Sequence, residues 1–418
     1  MITLDLSNIW AQASLPELLA LEPELVQAHQ KLLGLEEGGV APAWAQRDLW
    51  ETGETDSRLD QAARRIRDQS ALCLVLAPRG LCLGAQGVVQ ALQGPDRNLG
   101  RDKGDPALLF LGDSPSTYAH NALVKTLEGK DFSLILVSPQ GREPEFAAAS
   151  RCLRWMLERK YGTEEAARRI YAITEENSDL GLTAREQGWE RFDFAPEGPF
   201  DCLSPRWLLP MAVAGVDIAA FRVGAAEAGE ERSTLSFENP LWLHVAVRTL
   251  LSRGGRGREL FATAEPWLEG LGRWYCHLFA RDRVAPGFAL LPRDSLDRED
   301  VFATALAFQP PEKPAFLDAD WKNRDGLGSW EGKPLDALEE KLWEAAANQA
   351  DRGCPVLNLA CEALGSRTLG QLTAFFALSQ ALSGCLQGYE VQNSHVCGEN
   401  LAQLLGQEEP ETAKENSL

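Results

Sequence analysis

Two stretches of this chain carry residues able to hold an anion where an apolar run gives way to a helical one: APRGLCLG at 77–84 and SPQGREPE at 138–145. At such a junction the first N–H groups of the helix lack intrahelical partners, and the positive end of its dipole faces the turn. In the second stretch Ser138 and Gln140 can donate hydrogen bonds, Gly141 allows close backbone approach, and the Arg142 fork suits a carboxylate or phosphate. Glu143 opposes that use, since a carboxylate only accepts hydrogen bonds and adds a like charge. A plain helix start, with Glu143 and Glu145 facing the dipole, explains the same residues without a ligand and is the favoured reading. In the first stretch Gly80 supplies the turn while Pro78 removes a donor and Leu81 adds an apolar edge, so a structural turn is favoured there too.

Other chemistry is scarce. The five histidines (His29, His120, His244, His277 and His395) show no metal-ligand spacing, and neither a metal nor another cofactor is expected. The nine cysteines are odd in number, scattered and without a C-x-x-C pair, which points to reduced thiols in a cytoplasmic protein. A net charge of −20 repels nucleic-acid phosphates and anionic lipid, so neither nucleic acid nor membrane is an expected partner. The same field means that a small anion needs a local positive site. The opening MITLDLSNIWAQ has no basic stretch leading into an apolar run, and nowhere do the roughly 18 apolar residues of a membrane span occur together.

The elements that must position the two turns follow from periodicity. SRLDQAARRIRDQ (57–69) has helical spacing and enters the apolar run 71–78, which reads as a buried parallel strand. Further strands are expected at 107–113, 133–137 and 168–175, each followed by a helical stretch. In the second half, 203–228 and 239–254 read as helices, 258–280 as a strand turning into a helix, and 301–308 and 354–361 as strands. Between these last two, 334–350 reads as a helix, and 368–389 as a long apolar helix lying deep in a domain or in a subunit interface. Alternation of this kind indicates an α/β protein whose parallel sheets are covered on both faces. The expected organisation is an N-terminal helical segment (1–60) held to the body by Trp44 and Trp50, two α/β domains (61–200 and 201–406), and a charged tail (407–418).

The run LEGKDFSLILVSPQGREPEFAAASRCLRWMLERKYGTEEAARRIYAITE resembles the corresponding stretch of phosphoglucose (glucose-6-phosphate) isomerases. So do DLSN, LDQAARRIRDQSALCLVL, LLPMAVAGVDI, ENPLWLHVAVR, AEPWLEGLGRWYCHLFA and QLTAFFALSQALSGCLQG, so the resemblance spans about residues 2–406. It implies two sugar-isomerase (SIS-type) three-layer αβα domains, a homodimer that completes the active sites, and a sugar phosphate as ligand. Residue by residue, the implied machinery is largely replaced. In the phosphate turn S-K-[ST]-G-T-T, Ser138 and Gly141 match, but Pro139, Gln140, Arg142 and Glu143 stand in the other places. G-I-G-G-S becomes Ala77-Pro78-Arg79-Gly80-Leu81. G-G-R-[FY]-S becomes Glu197-Gly198-Pro199-Phe200-Asp201, so the family arginine position holds Pro199; Gly198 is kept, and Arg206 is the nearby basic residue. The family base position in G-E-S-x-G-K holds Arg281, the ring-opening histidine is missing from the shortened PRDSLDRED stretch, and the late lysine falls near Ala402.

Isomerisation of an aldose to a ketose needs an acid to open the ring, a base to move a proton between C1 and C2, and an electrophile for the enediolate. A guanidinium stays protonated and cannot serve as that base. The expectation is therefore a family member without catalytic residues. It would bind a sugar phosphate or another small anion through Ser138, Gln140, Gly141, Arg142, Glu143, Gly80, Gly198 and Arg206, or act as a regulatory partner. The alternative is an active isomerase with a relocated set drawn from Asp282, Glu299 or Asp300 with Arg206 or His395.

Overall fold

The computed structural model describes residues 2–10, 13–34, 54–78, 80–100, 104–112, 116–194, 201–231, 234–291, 299–338, 340–341 and 354–388. Ten strands are described: β1 (Thr3–Asp5), β2 (Leu72–Leu76), β3 (Ala107–Leu111), β4 (Phe132–Val137), β5 (Ile170–Thr174), β6 (Glu190–Asp193), β7 (Arg258–Thr263), β8 (Ala285–Leu290), β9 (Val301–Phe308) and β10 (Val356–Cys361). The helices of the first half are α1 (Leu15–Ala20), α2 (Glu22–Leu32), α3 (Glu54–Gln69), α4 (Leu83–Gln93), α5 (Arg97–Gly100), α6 (Thr117–Leu127), α7 (Pro144–Tyr161), α8 (Thr163–Ala167) and α9 (Asp179–Gln187). Those of the second half are α10 (Pro205–Val213), α11 (Ile218–Glu231), α12 (Pro240–Arg253), α13 (Glu269–Leu278) and α14 (Ser366–Gln387).

The strands form two five-stranded sheets, ordered β3-β2-β4-β5-β6 and β1-β10-β9-β7-β8. All pairings are parallel except β1 with β10. β2 and β4 are buried along their whole length because both faces are covered, which is why LCLVL and FSLILV are apolar apart from Ser133, whose hydroxyl is hydrogen-bonded to Ser70. In the first sheet β2 leads outward to β3 whereas β4 leads the other way to β5, so the strand order reverses between β2 and β4. The crevice beyond the carboxyl ends of such a strand pair is where open α/β sheets bind ligands.

One apolar core links the sheets: Cys73, Val75 and Ile135 of the first share it with Phe261, Phe302 and Leu357 of the second. A second core, with Leu74, Leu134, Leu153 and Leu157, fills the other face of the first sheet beneath α7. The α14 helix is buried from Thr368 to Gly384. By length and composition it could cross a membrane, but 89% of its apolar window lies inside the fold.

The structure corrects several expectations. The stretch 203–228, expected to be mostly helical, is so as two helices: α10 ends at Val213 and α11 begins at Ile218, with Gly215 at φ +85° between them. A positive φ costs a side-chain-bearing residue energy and breaks helical propagation. Within the segment 1–60, residues 3–5 are a strand on the edge of the second sheet rather than part of a helical approach. Strands β6 and β8 were not expected, because ERFD and APGFAL are too short or too glycine- and proline-marked to show a period. Trp44, Trp50, most of 334–350 and the tail lie outside the described residues.

Candidate functional site

Register puts Leu76 of β2 opposite Leu136 of β4, so the turn holding Gly80 and the turn beginning at Ser138 leave the sheet side by side at its strand-order reversal. Ser138 is fully buried. Its hydroxyl donates to Glu143 Oε2 (2.6 Å) and accepts from the Gly141 N–H (2.7 Å). Gly141 has φ +78°, and a Cβ there would lie 2.6 Å from the Leu180 Cβ, so the turn closes only with glycine. Thr174 Oγ1 and the Glu175 N–H both donate to the Pro139 carbonyl, which fixes the turn to the end of β5.

The remaining polar groups of this turn are engaged within the chain. Gln140 Nε2 donates to Glu175. Arg142, expected as an anion clamp, turns its fork onto Asp179 instead (Nε to Oδ2 2.6 Å, Nη2 to Oδ1 3.2 Å). Asp179 opens α9 beside the turn, an acidic neighbour that linear spacing does not reveal. The Arg142 hydrogen bond holds the Asp179 carboxyl below its usual range. Glu143 is the N-cap residue of α7 and is half-buried, with its carboxylate on Ser138 rather than in solvent.

Arg206 lies behind the Gly80 turn, wholly buried, with its guanidinium 4.7 Å from the Phe194 ring centre and its main-chain oxygen accepting from Cys82 Sγ (3.7 Å). Burial lowers its pKa to about 9. Arg206 is thus buried against Phe194 and Cys82 at the start of α10. Gly198 and Pro199 lie outside the described residues, as do His395 and Ala402.

The turn that follows α13 carries Arg281, which is exposed, and Asp282, whose side chain is fully buried. The Asp282 carboxylate accepts from Arg248 Nη1 (2.7 Å), Ser383 Oγ (3.0 Å) and Gln387 Nε2. Arg248 also donates through Nε to Glu259 Oε2 (2.8 Å), and Glu259 Oε1 accepts from Tyr275 (2.8 Å) and Thr304 (2.6 Å). Burial disfavours the charged form of Arg248, but Glu259, Tyr275 and Asp282 outweigh it and hold the guanidinium well above its usual pKa. A carboxylate held by three donors inside the protein has neither the access nor the free lone pairs of a general base. Glu299 and Asp300 are exposed and precede β9, at the end of the second sheet away from its strand carboxyl ends.

One residue facing the reversal point was missed from sequence. A Cβ at Gly80 (φ +94°) would fall 2.5 Å from both Cε1 and Nε2 of His277, so the α13 imidazole lies across the Gly80 turn. Burial lowers the His277 pKa and favours the neutral ring. Its place along the chain gives no signal of this, since the contact joins α13 to a turn far earlier in the sequence.

With this geometry in hand, comparison with known proteins is informative. No protein-family model matches the chain. It is 31% identical over 384 residues to a glucose-6-phosphate isomerase of Staphylococcus saprophyticus, covering 87% of this chain and 86% of the relative. The chain belongs to the glucose-6-phosphate isomerase family. A glucose-6-phosphate isomerase of Bacillus cytotoxicus is 32% identical over 388 residues, with the same shares covered. Among solved structures, a hypothetical protein from Thermus thermophilus superposes with TM-score 0.81 at 21% identity, covering 97% of this chain and 99% of that one. A glucose-6-phosphate isomerase from Chlamydia trachomatis gives 0.68 at 15% identity, covering 93% and 84%. These likenesses establish the isomerase fold, so the family and fold class read from the sequence both stand.

Proposed function

We propose that this member of the glucose-6-phosphate isomerase family binds a sugar phosphate or another small anion at the β2–β4 reversal point and does not isomerise it by the family route. The observation that carries this reading is the pair at the family base position, an exposed arginine followed by an aspartate locked to Arg248, Ser383 and Gln387. Neither side chain can take a proton from a sugar carbon. At the neighbouring turn Ser138 and the Gly141 N–H remain the donors a phosphate would use, once the Glu143 carboxylate swings away from Ser138. The expected organisation is two α/β domains (61–200 and 201–406) and, by family, a cytoplasmic homodimer.

A second reading is favoured by the comparisons rather than by the geometry: an active glucose-6-phosphate isomerase interconverting glucose 6-phosphate and fructose 6-phosphate in glycolysis. Relatives 31–32% identical across 87% of the chain carry that name, and on sequence relationship alone it is the better supported of the two. His277 beside Gly80 would then be the residue best placed for acid–base work. The deciding experiment is a coupled assay of fructose 6-phosphate turnover on the purified chain, run beside a His277→Ala variant. Turnover above the level of an empty-vector preparation that falls with His277→Ala establishes the isomerase. Absence of turnover with a rise in melting temperature on adding fructose 6-phosphate establishes the binder.

A further inference from the structure

Far from the reversal point, a groove of about 940 Å³ opens between the carboxyl-terminal half of α7 and the end of α6. Its position is separate from the site above: Arg159 lies fifteen residues after Pro144 along α7, about 22 Å at the helical rise of 1.5 Å per residue. The floor is apolar, with Leu127 and Phe132 buried and Met156 packed against the same core. The wall is apolar too, yet exposed: the Trp155 side chain is 58% accessible and Val124 38%.

The rim has the opposite character to the rest of the protein. Lys125, Arg151, Arg159 and Lys160 line the groove against a single acid, Glu128, in a chain whose net charge is −20. Lys160 is shared with Asp131 (3.0 Å), and the Arg159 guanidinium sits 5.2 Å from the Trp155 ring centre. Lys125 and Arg151 are exposed on the two helices that form the walls. Local positive potential over an apolar cleft concentrates anions that the rest of the surface repels. The volume falls within the usual range for a small-molecule site.

We propose that this groove binds a small amphipathic anion, with an aromatic or short alkyl body laid against Trp155 and a sulfonate, carboxylate or phosphate head held between Lys125 and Arg151. Charge complementarity selects the anionic head, and the apolar floor selects the body. A neutral amphipath would satisfy only the floor; an inorganic anion would satisfy only the rim.

The test uses 8-anilinonaphthalene-1-sulfonate as probe on the full chain. Its fluorescence should rise saturably with one site per chain. Cys152, which lines the groove and is the one exposed cysteine among the described residues, should react more slowly with iodoacetamide when the probe is bound, by about fivefold at a free probe concentration of four times Kd. Lys125→Glu combined with Arg151→Glu should weaken probe binding by about tenfold or more, which corresponds to at least 1.4 kcal/mol, and Trp155→Ala should weaken it similarly, while thermal melting shows both variants folded. Unchanged affinity in the charge-reversed variant, or unchanged reactivity of Cys152, overturns the proposal. So does equal competition by octyl glucoside and octanoate, or sedimentation showing that the charge reversal dissociates a dimer whose second copy covers the groove. None of these variants touches the Ser138 turn, so fructose 6-phosphate binding or turnover should survive in them whichever way the groove test falls.

Discussion

Two carboxylates sit in turns beside helices, and their surroundings differ sharply. Glu143 is half-buried at the start of a helix and is held by one hydroxyl, that of Ser138. Asp282 is buried and held by an arginine, a serine and a glutamine from two different helices. Rotating Glu143 away exchanges one hydrogen bond for water. Rotating Asp282 away leaves Arg248 short of one of its two carboxylates in a medium that cannot solvate it. The first contact exchanges readily with water, and the second is a structural staple.

The largest effect that would break this contrast is at Arg248. Arg248→Met leaves Glu259 and Asp282 buried without their cation and should cost about 3–5 kcal/mol of stability in urea denaturation. A loss below about 1 kcal/mol, the range of a surface pair, would show that Asp282 is not clamped.

At the other turn, Gly141→Ala forces a side chain into φ +78° against Leu180 and should cost about 1–3 kcal/mol. It should also weaken any sugar-phosphate binding there. Full stability in this variant would mean that the turn is looser than its hydrogen bonds imply.

The clamped region should also sense pH through His244, which packs against Phe279, Phe375 and Phe376 with neither ring nitrogen hydrogen-bonded among the described residues. Burial, reinforced by Arg248, holds its pKa well below 6.5. The unfolded chain then binds the proton first, so stability is full above about pH 6.5 and falls by up to about 1.4 kcal/mol per pH unit below it. His244→Phe should flatten that slope in denaturation curves taken from pH 7 to pH 5. An unaltered slope would assign the loss to other groups.

The smallest effect on stability, and the most informative about ligands, is Glu143→Gln. Removing the like charge should change stability by under about 1 kcal/mol while tightening fructose 6-phosphate binding about tenfold, read by thermal shift at graded ligand concentrations. An unchanged affinity would move the anion site away from Ser138.

Much of this was legible in the linear chain. The strands at 72–76, 107–111, 132–137 and 170–174 showed as largely apolar runs between helical periods, because parallel strands packed between helices present mostly apolar side chains. The Ser138–Glu143 turn was equally readable as a strand-to-helix junction. The engagement of Arg142 by Asp179, 37 residues on, was not, nor was the burial of Arg206 behind Gly80. His277 escaped notice for the same reason, since nothing in its neighbourhood along the chain announces that α13 will pack beside the Gly80 turn.

By itself, then, the sequence determined the α/β class, the family and the chemical types present at each strand end, because periodicity and residue identity are local properties. The tertiary structure decided which of those groups meet. Asp282 is a staple because α12 and α14 bring Arg248, Ser383 and Gln387 to it, and Glu143 is held more lightly because Ser138 is its one hydrogen-bond donor among the described residues. Charges and hydrogen-bonding groups acquire a role from what solvates them, and that is fixed by contacts between residues far apart in the chain.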